Sequence, residues 1–189
     1  MYDKLEPWDI ENEEVAFDTR IFQLLKRRTR SKLRPEIAGE FYALRCPRWV
    51  NTIALTPYQE VVLIEQYRHG LDDMTLEIPG GMVDGNESYE VAGLRELEEE
   101  TGFVGEGAKL LGKVAPNPAI QENWCGHVLL ENVTATGQTQ PDLHEEIRVE
   151  LVPLNQIRKY IMEGKISHGL VINAFYFLEQ DPKYRNLMD

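Results

Sequence analysis

Cysteine is nearly absent from this chain: Cys46 and Cys125 are the two present in 189 residues, and neither sits in a C-x-x-C or Cys/His spacing. That argues against a disulfide-stapled scaffold and a zinc site, and both positions read as buried free thiols within strands. Basic charge is scarce as well. With 20 Lys+Arg against 32 Asp+Glu, the formal net charge is −12. A nucleic-acid groove is not expected, because binding to a phosphate backbone is driven largely by Lys and Arg. A small anionic ligand stays compatible, since a bound divalent cation can reverse the local sign. No apolar run approaches the roughly 20 residues of a membrane span. The start, MYDKLEPWDIENEEVAFD, has neither the basic nor the apolar region of a signal peptide. No membrane partner is therefore expected, and the cytoplasm is the default address. Internal repeats, Ser/Gly linkers and low-complexity tracts are also missing.

What is present suits a globular chain, with 42% hydrophobic and 28% charged residues. The length fits one domain carrying an arm: N-terminal strands over residues 1–45, then a main domain over 46–189. The arm is the least legible part, an acidic start followed by the basic run KRRTRSKLR, Lys26 to Arg34, read as a solvated turn or hairpin. GEFYALRC, WVNTIALT and EVVLIEQYRH read as strands, with TPYQE as a hairpin turn between the last two. AKLLGKVA, CGHVLLENV and IRVELVPL are further strands, followed by helices near Leu154–Glu163 and His168–Glu179. Strands and helices mix without regular βαβ alternation. The expected class is α/β or α+β, a mixed sheet with helices on both faces.

Between these lies EIPGGMVDGNESYEVAGLRELEEETGF, Glu77 to Phe103. Ser88 to Thr101 reads as a helix, with Ser88 as N-cap and Gly102 as the C-terminal stop. At 100° per residue Val91, Leu94, Leu97 and Thr101 share one side, which is expected to be buried, and Glu96, Glu99 and Glu100 project opposite. Like charges at this spacing repel by a few tenths of a kcal/mol per pair. A solvated acidic face would explain most glutamate runs. Oxygen ligands behind a Pro-Gly-Gly turn also suit magnesium or manganese bridging to phosphates.

The spacing separates these readings. Gly81, Glu87, Arg95, Glu96, Glu99, Glu100 and Gly102 fall at the fixed positions of the Nudix box, with no departure. Seven fixed residues at ~7% usage each would match by chance about once in 10⁸ starting positions. The chain thus resembles the Nudix hydrolase superfamily. The resemblance implies an α/β/α sandwich with a mixed central sheet, in which water attacks a diphosphate joined to a further group. By the same resemblance Glu96, Glu99, Glu100 and the Gly80 carbonyl are ligands of Mg2+ or Mn2+. Arg95 orients the carboxylates, and Glu87 ties loop to helix.

Outside the box, four stretches resemble the ADP-ribose pyrophosphatase and nucleoside-diphosphate-sugar branch: IEQYRHG, LEIPGGMVD, PNPAIQEN and HEEIRVELVPL. Arg68 is either a strand-end surface residue or a fork holding a substrate phosphate, and the latter is favoured because the strand delivers it toward the box loop. Glu77 either pairs locally or contacts a nucleobase or dimer partner. The likeness puts Glu145 at the site, with Glu146 beside it, as general base; Glu99 is the rival. Trp49 reads as core or interface, His127 as a strand residue and His144 as a loop residue. The function implied is hydrolysis of ADP-ribose or another nucleoside diphosphate sugar to a nucleoside monophosphate and a sugar phosphate. The alternatives are a Nudix hydrolase of nucleoside triphosphates or dinucleoside polyphosphates, and a non-hydrolysing ADP-ribose-binding module. A homodimer is expected from the branch likeness and an arm poorly suited to pack alone.

Overall fold

The central strands carry apolar residues on both faces, as they must when a sheet is covered twice. The computed structural model describes residues 4–137, 139 and 146–187 and divides into two units, residues up to 47 with 115–124, and the remainder.

In the first unit, β1 (Asp9–Asp18), β2 (Gln23–Arg30) and β3 (Ala38–Arg45) form an antiparallel sheet in that order. Of the two readings of the basic run, the hairpin holds for Lys26 to Arg30. Lys26 to Arg30 lie in the middle strand, where the register sets them against the acids of β1. Arg27 bonds Glu13 at 2.6 Å and Glu122 at 2.5 Å, and Arg45 reaches the same two glutamates at 2.7 and 2.6 Å. Exposed pairs of this kind contribute little each; as a ladder they select one strand register over its neighbours. Leu44 N–H donates to Ile120 O at 2.6 Å and Glu122 N–H to Leu44 O at 3.1 Å, so the PNPAIQEN segment lies along β3. Cys46 follows β3 rather than lying within it, and is half-buried.

The second unit holds β4 (Trp49–Leu55), β5 (Glu60–Arg68), β6 (Asp73–Glu77), β7 (Gly80–Met82), β9 (Lys109–Val114), β10 (Cys125–Glu131) and β12 (Ile147–Pro153) in one sheet. Its order is β12-β5-β4-β10-β9, with β6 on β5 and β7 on β4. β4 and β10 run parallel and the other pairs antiparallel, so the sheet is mixed. The short strands β8 (Phe103–Val104) and β11 (Thr134–Ala135) pair with each other. Helix α1 (Tyr89–Thr101) covers one face, over Val50, Ala54, Val62, Val128 and Leu130. The other face carries a 3-10 turn (Leu154–Gln156), α2 (Ile157–Met162), α3 (Gly169–Gln180) and α4 (Pro182–Arg185), over Ile53, Leu55, Leu63 and Leu129. This is the expected α/β/α sandwich.

Candidate active site

Strand β7 runs antiparallel beside β4, with Asn51 opposite Gly80. Thr52 N–H donates to Pro79 O at 2.8 Å and Val83 N–H to Arg48 O at 2.9 Å. Because antiparallel hydrogen bonds alternate, the ladder skips Gly80, whose N–H and carbonyl point away from β4. The N–H donates to Glu100 Oε2 at 2.9 Å. Both glycines are required. A Cβ on Gly80 would collide with Val50 O, and one on Gly81 would lie 2.5 Å from Glu96 Oε1. The turn thus lets backbone touch two box carboxylates.

Helix α1 is fixed at both ends. Ser88 Oγ accepts from Val91 N–H at 3.3 Å, and Gly102, at φ +68°, donates to Glu98 O. Its middle sits hard on the sheet: a Cβ on Gly93 would lie 2.7 Å from Thr52 Oγ1, which itself donates to Gly93 O. The buried stripe differs from the expected one. Val91 is 53% exposed, while Ala92, Gly93, Leu97, Glu100 and Thr101 are buried. Glu100 therefore flanks the buried side rather than opposing it, because β7 needs an acceptor there.

Arg95 is the hub. Its Nη1 donates to Glu96 at 2.9 Å and Glu99 at 3.0 Å; its Nη2 donates to Glu87 at 2.8 Å and Met82 O at 2.9 Å. The hydrogen bond to Glu87, then the charge of Glu96 and the hydrogen bonds to Glu96 and Glu99, raise the Arg95 pKa. In return Arg95 holds the Glu87 carboxyl below the ordinary range. Glu87 also accepts from Asp84 N–H at 2.7 Å, so loop and helix are joined by side chain and backbone. Sequence reading missed Arg48, which donates to Gly85 O and Glu87 O and lies 5.4 Å over the Tyr89 ring. No spacing signal marked it.

A second network surrounds Glu77, which is 2% exposed. Arg68 grips it with Nε and Nη2, each at 2.8 Å, Thr75 Oγ1 donates at 2.6 Å, and His168 Nδ1 lies at 2.8 Å. Burial alone would raise this carboxyl; Arg68 and His168 outweigh it and hold the group ionised far below its usual range. Glu77 thus pairs locally, and the same fork is directed at Glu77. His168, read from sequence as the start of a helix, is a polar partner that its local motif did not reveal.

His127 is fully buried in β10, and burial pushes its pKa down to about 4. Cys125 is a buried thiol pushed up to about 12 by burial. Glu145 and His144 lie outside the described residues, and Glu146 is exposed. A depression of about 500 Å³ lined by Glu65, Leu76, Arg148, Tyr160 and Lys165 lies elsewhere. Its cations already pair with Glu65, Glu150 and Glu163.

The donor set at the box suits a hard divalent cation. Its side-chain donors are all oxygen, and Glu87, Glu96 and Glu99 share one guanidinium while Glu100 meets a backbone N–H. Among the described residues, no three His, Cys, Asp or Glu side chains form a ready metal cage; Arg95 draws Glu96 and Glu99 onto itself. No helix among them is long and apolar enough to cross a membrane.

The NUDIX domain profile matches residues 47–172. Over 138 residues the chain is 31% identical to a methanol dehydrogenase activator of Bacillus methanolicus, covering 72% of this chain and 74% of that one. It is 28% identical over 138 residues to an ADP-ribose pyrophosphatase of Bacillus subtilis, covering 70% and 72%. A crystal structure described as an ADP compounds hydrolase superposes with a TM-score of 0.85 at 19% identity, covering 97% and 98%, and shares the fold. With the profile spanning most of the chain and the box intact on its loop and helix, the protein belongs to the Nudix family and is a hydrolase of its pyrophosphatase class.

Proposed function

We propose that the protein hydrolyses the diphosphate of ADP-ribose or another nucleoside diphosphate sugar, releasing a nucleoside monophosphate and a sugar phosphate. The observation that carries this reading is the convergence of Glu96 and Glu100 on the Gly80–Gly81 backbone, with Arg95 bracing Glu96 and Glu99. The QYR strand, the acid before Pro79 and a relative named ADP-ribose pyrophosphatase support the substrate class.

Glu96, Glu99, Glu100 and the Gly80 carbonyl would hold Mg2+ or Mn2+. When bound, the cation neutralises the diphosphate oxygens and acidifies water. Arg95 keeps Glu96 and Glu99 oriented for that task. Water oxygen attacks one phosphorus, the bridging P–O bond breaks, and the other phosphate leaves with its electron pair. Glu145 or Glu99 takes the water proton as general base. Glu99→Gln and Glu145→Gln separate the two: loss of the acidic limb of the pH–rate profile, where the base takes up its proton, identifies the base.

We also infer a homodimer through the N-terminal strands of residues 1–45 and a cytoplasmic address; the measured solution mass tests the first. A panel of ADP-ribose, other nucleoside diphosphate sugars, dinucleoside polyphosphates and dNTPs, each with magnesium and with manganese, tests the substrate class. Highest kcat/KM on a triphosphate or a dinucleoside polyphosphate would overturn it. Tight ADP-ribose binding without turnover would favour a binding module, a reading opposed by the intact glutamate set.

A further inference from the structure

Across four adjacent strands the register aligns Gly80, Asn51, His127 and Gly112 in one row. Val50 and Val128, their chain neighbours, pack toward α1. Strand alternation therefore turns Asn51 and His127 to the other face, where the Phe177 ring of α3 lies 5.6 Å from the imidazole. Asn51 is 8% exposed and His127 0%. The next residues on that face, Ile53 and Leu129, are apolar core. An amide and an imidazole here carry a desolvation cost that apolar groups of equal size would avoid. Asn51 Nδ2 and both ring nitrogens of His127 have no hydrogen-bond partner among the described residues. Buried polar atoms left in this state call for a reason.

The reason lies at Gly80. Asn51 and Gly80 form the pair that the ladder's hydrogen bonds skip, which brings their Cα atoms to about 4.5 Å. A Cβ added to Gly80 would lie 2.8 Å from Asn51 Oδ1. The amide side chain thus bounds one side of the Gly80 peptide while Glu100 bonds its N–H. On the next strand, about 4.8 Å away, His127 lies level with Asn51 in the register.

We propose that Asn51 is a positioning residue for the cation-binding loop: its side chain bounds the Gly80 peptide and so aims the carbonyl and keeps Glu100 in register with it. This rests on the function proposed above. An apolar residue could fill the space at position 51 but offers no dipole to the peptide beside it.

Direct Mn2+ binding to the full chain, followed by electron paramagnetic resonance, tests the proposal. The comparison set is wild type, Asn51→Leu, Asn51→Ser and His127→Gln. Both Asn51 variants should weaken Mn2+ binding about tenfold or more, with KM for ADP-ribose at saturating Mn2+ within about twofold of wild type. His127→Gln, which keeps a hydrogen-bonding group, should stay close to wild type. Wild-type Mn2+ affinity in both Asn51 variants would overturn the proposal. So would loss of binding that occurs only with loss of the native circular-dichroism spectrum. Absence of Mn2+ binding by the wild type would instead sink the reading of the box as a metal site.

Discussion

Gly80 donates its backbone N–H to Glu100 Oε2 across 2.9 Å, which fastens the glycine turn to the last turn of α1. Glu100→Gln keeps the size of that side chain and an acceptor oxygen while removing the charge. Steady-state assays should show turnover down about 10³-fold, equivalent to about 4 kcal/mol of transition-state stabilisation. The melting temperature in EDTA should stay within a few degrees of wild type. Retained turnover would remove Glu100 from the ligand set.

Arg95→Ala deprives Glu87, Glu96 and Glu99 of their shared cation and Met82 O of its donor. Without metal the variant should lose about 1–3 kcal/mol, the usual cost of orphaning partly buried polar partners. Magnesium should raise its melting temperature more than that of wild type, because the cation replaces the lost positive charge. Equal shifts in the two proteins would contradict this account.

Arg68→Ala leaves Glu77 buried and charged without its fork. Breaking a buried pair costs about 3–5 kcal/mol. Arg68 is 43% exposed on its side chain, so solvent screening puts the expected loss nearer 2 kcal/mol. The Glu77 carboxyl is depressed in the fold, so its contribution is complete above its ordinary pKa and declines as pH falls below about 4.5. Urea denaturation at pH 7 and pH 4 should show the gap between variant and wild type narrowing in acid.

His127 supplies a second acid sensitivity in a different window. Its folded pKa is about 4 against an ordinary 6.5, so the unfolded chain takes the proton first as pH falls. Stability is complete above 6.5 and is lost between 6.5 and 4, by about 3 kcal/mol in all. In His127→Leu that part of the slope should vanish, which urea titrations at pH 7, 5.5 and 4.5 would register. An unchanged slope would mean that the imidazole is not buried neutral.

Much of the candidate site's scaffold was legible because the box spacing encodes a loop and a capped helix directly: Ser88 and Gly102 stand where the caps were expected. The helix face was misread at Val91 and Glu100. Period alone assigns apolar residues to the core, whereas here Gly93 brings the helix against Thr52 and β7 recruits Glu100 as acceptor. The pairing of the basic run with the acidic start was invisible locally, since it depends on the hairpin register between β1 and β2. The Glu77–His168 contact spans 91 positions, and no short motif records a partner so distant.

Strand β1 has consequences for handling the protein. All ten of its residues are exposed, it ends the three-stranded sheet, and Ile10, Val15 and Phe17 lie open among Glu11, Glu13 and Glu14. In any copy whose β1 edge the proposed dimer leaves open, those glutamates act as gatekeepers against edge-to-edge stacking. Acidic buffers that discharge them, or strong salt that screens them, should turn a well-behaved preparation cloudy, and light scattering against pH would reveal the onset. Storage near neutral pH at modest ionic strength follows from the shape and charge of that one strand.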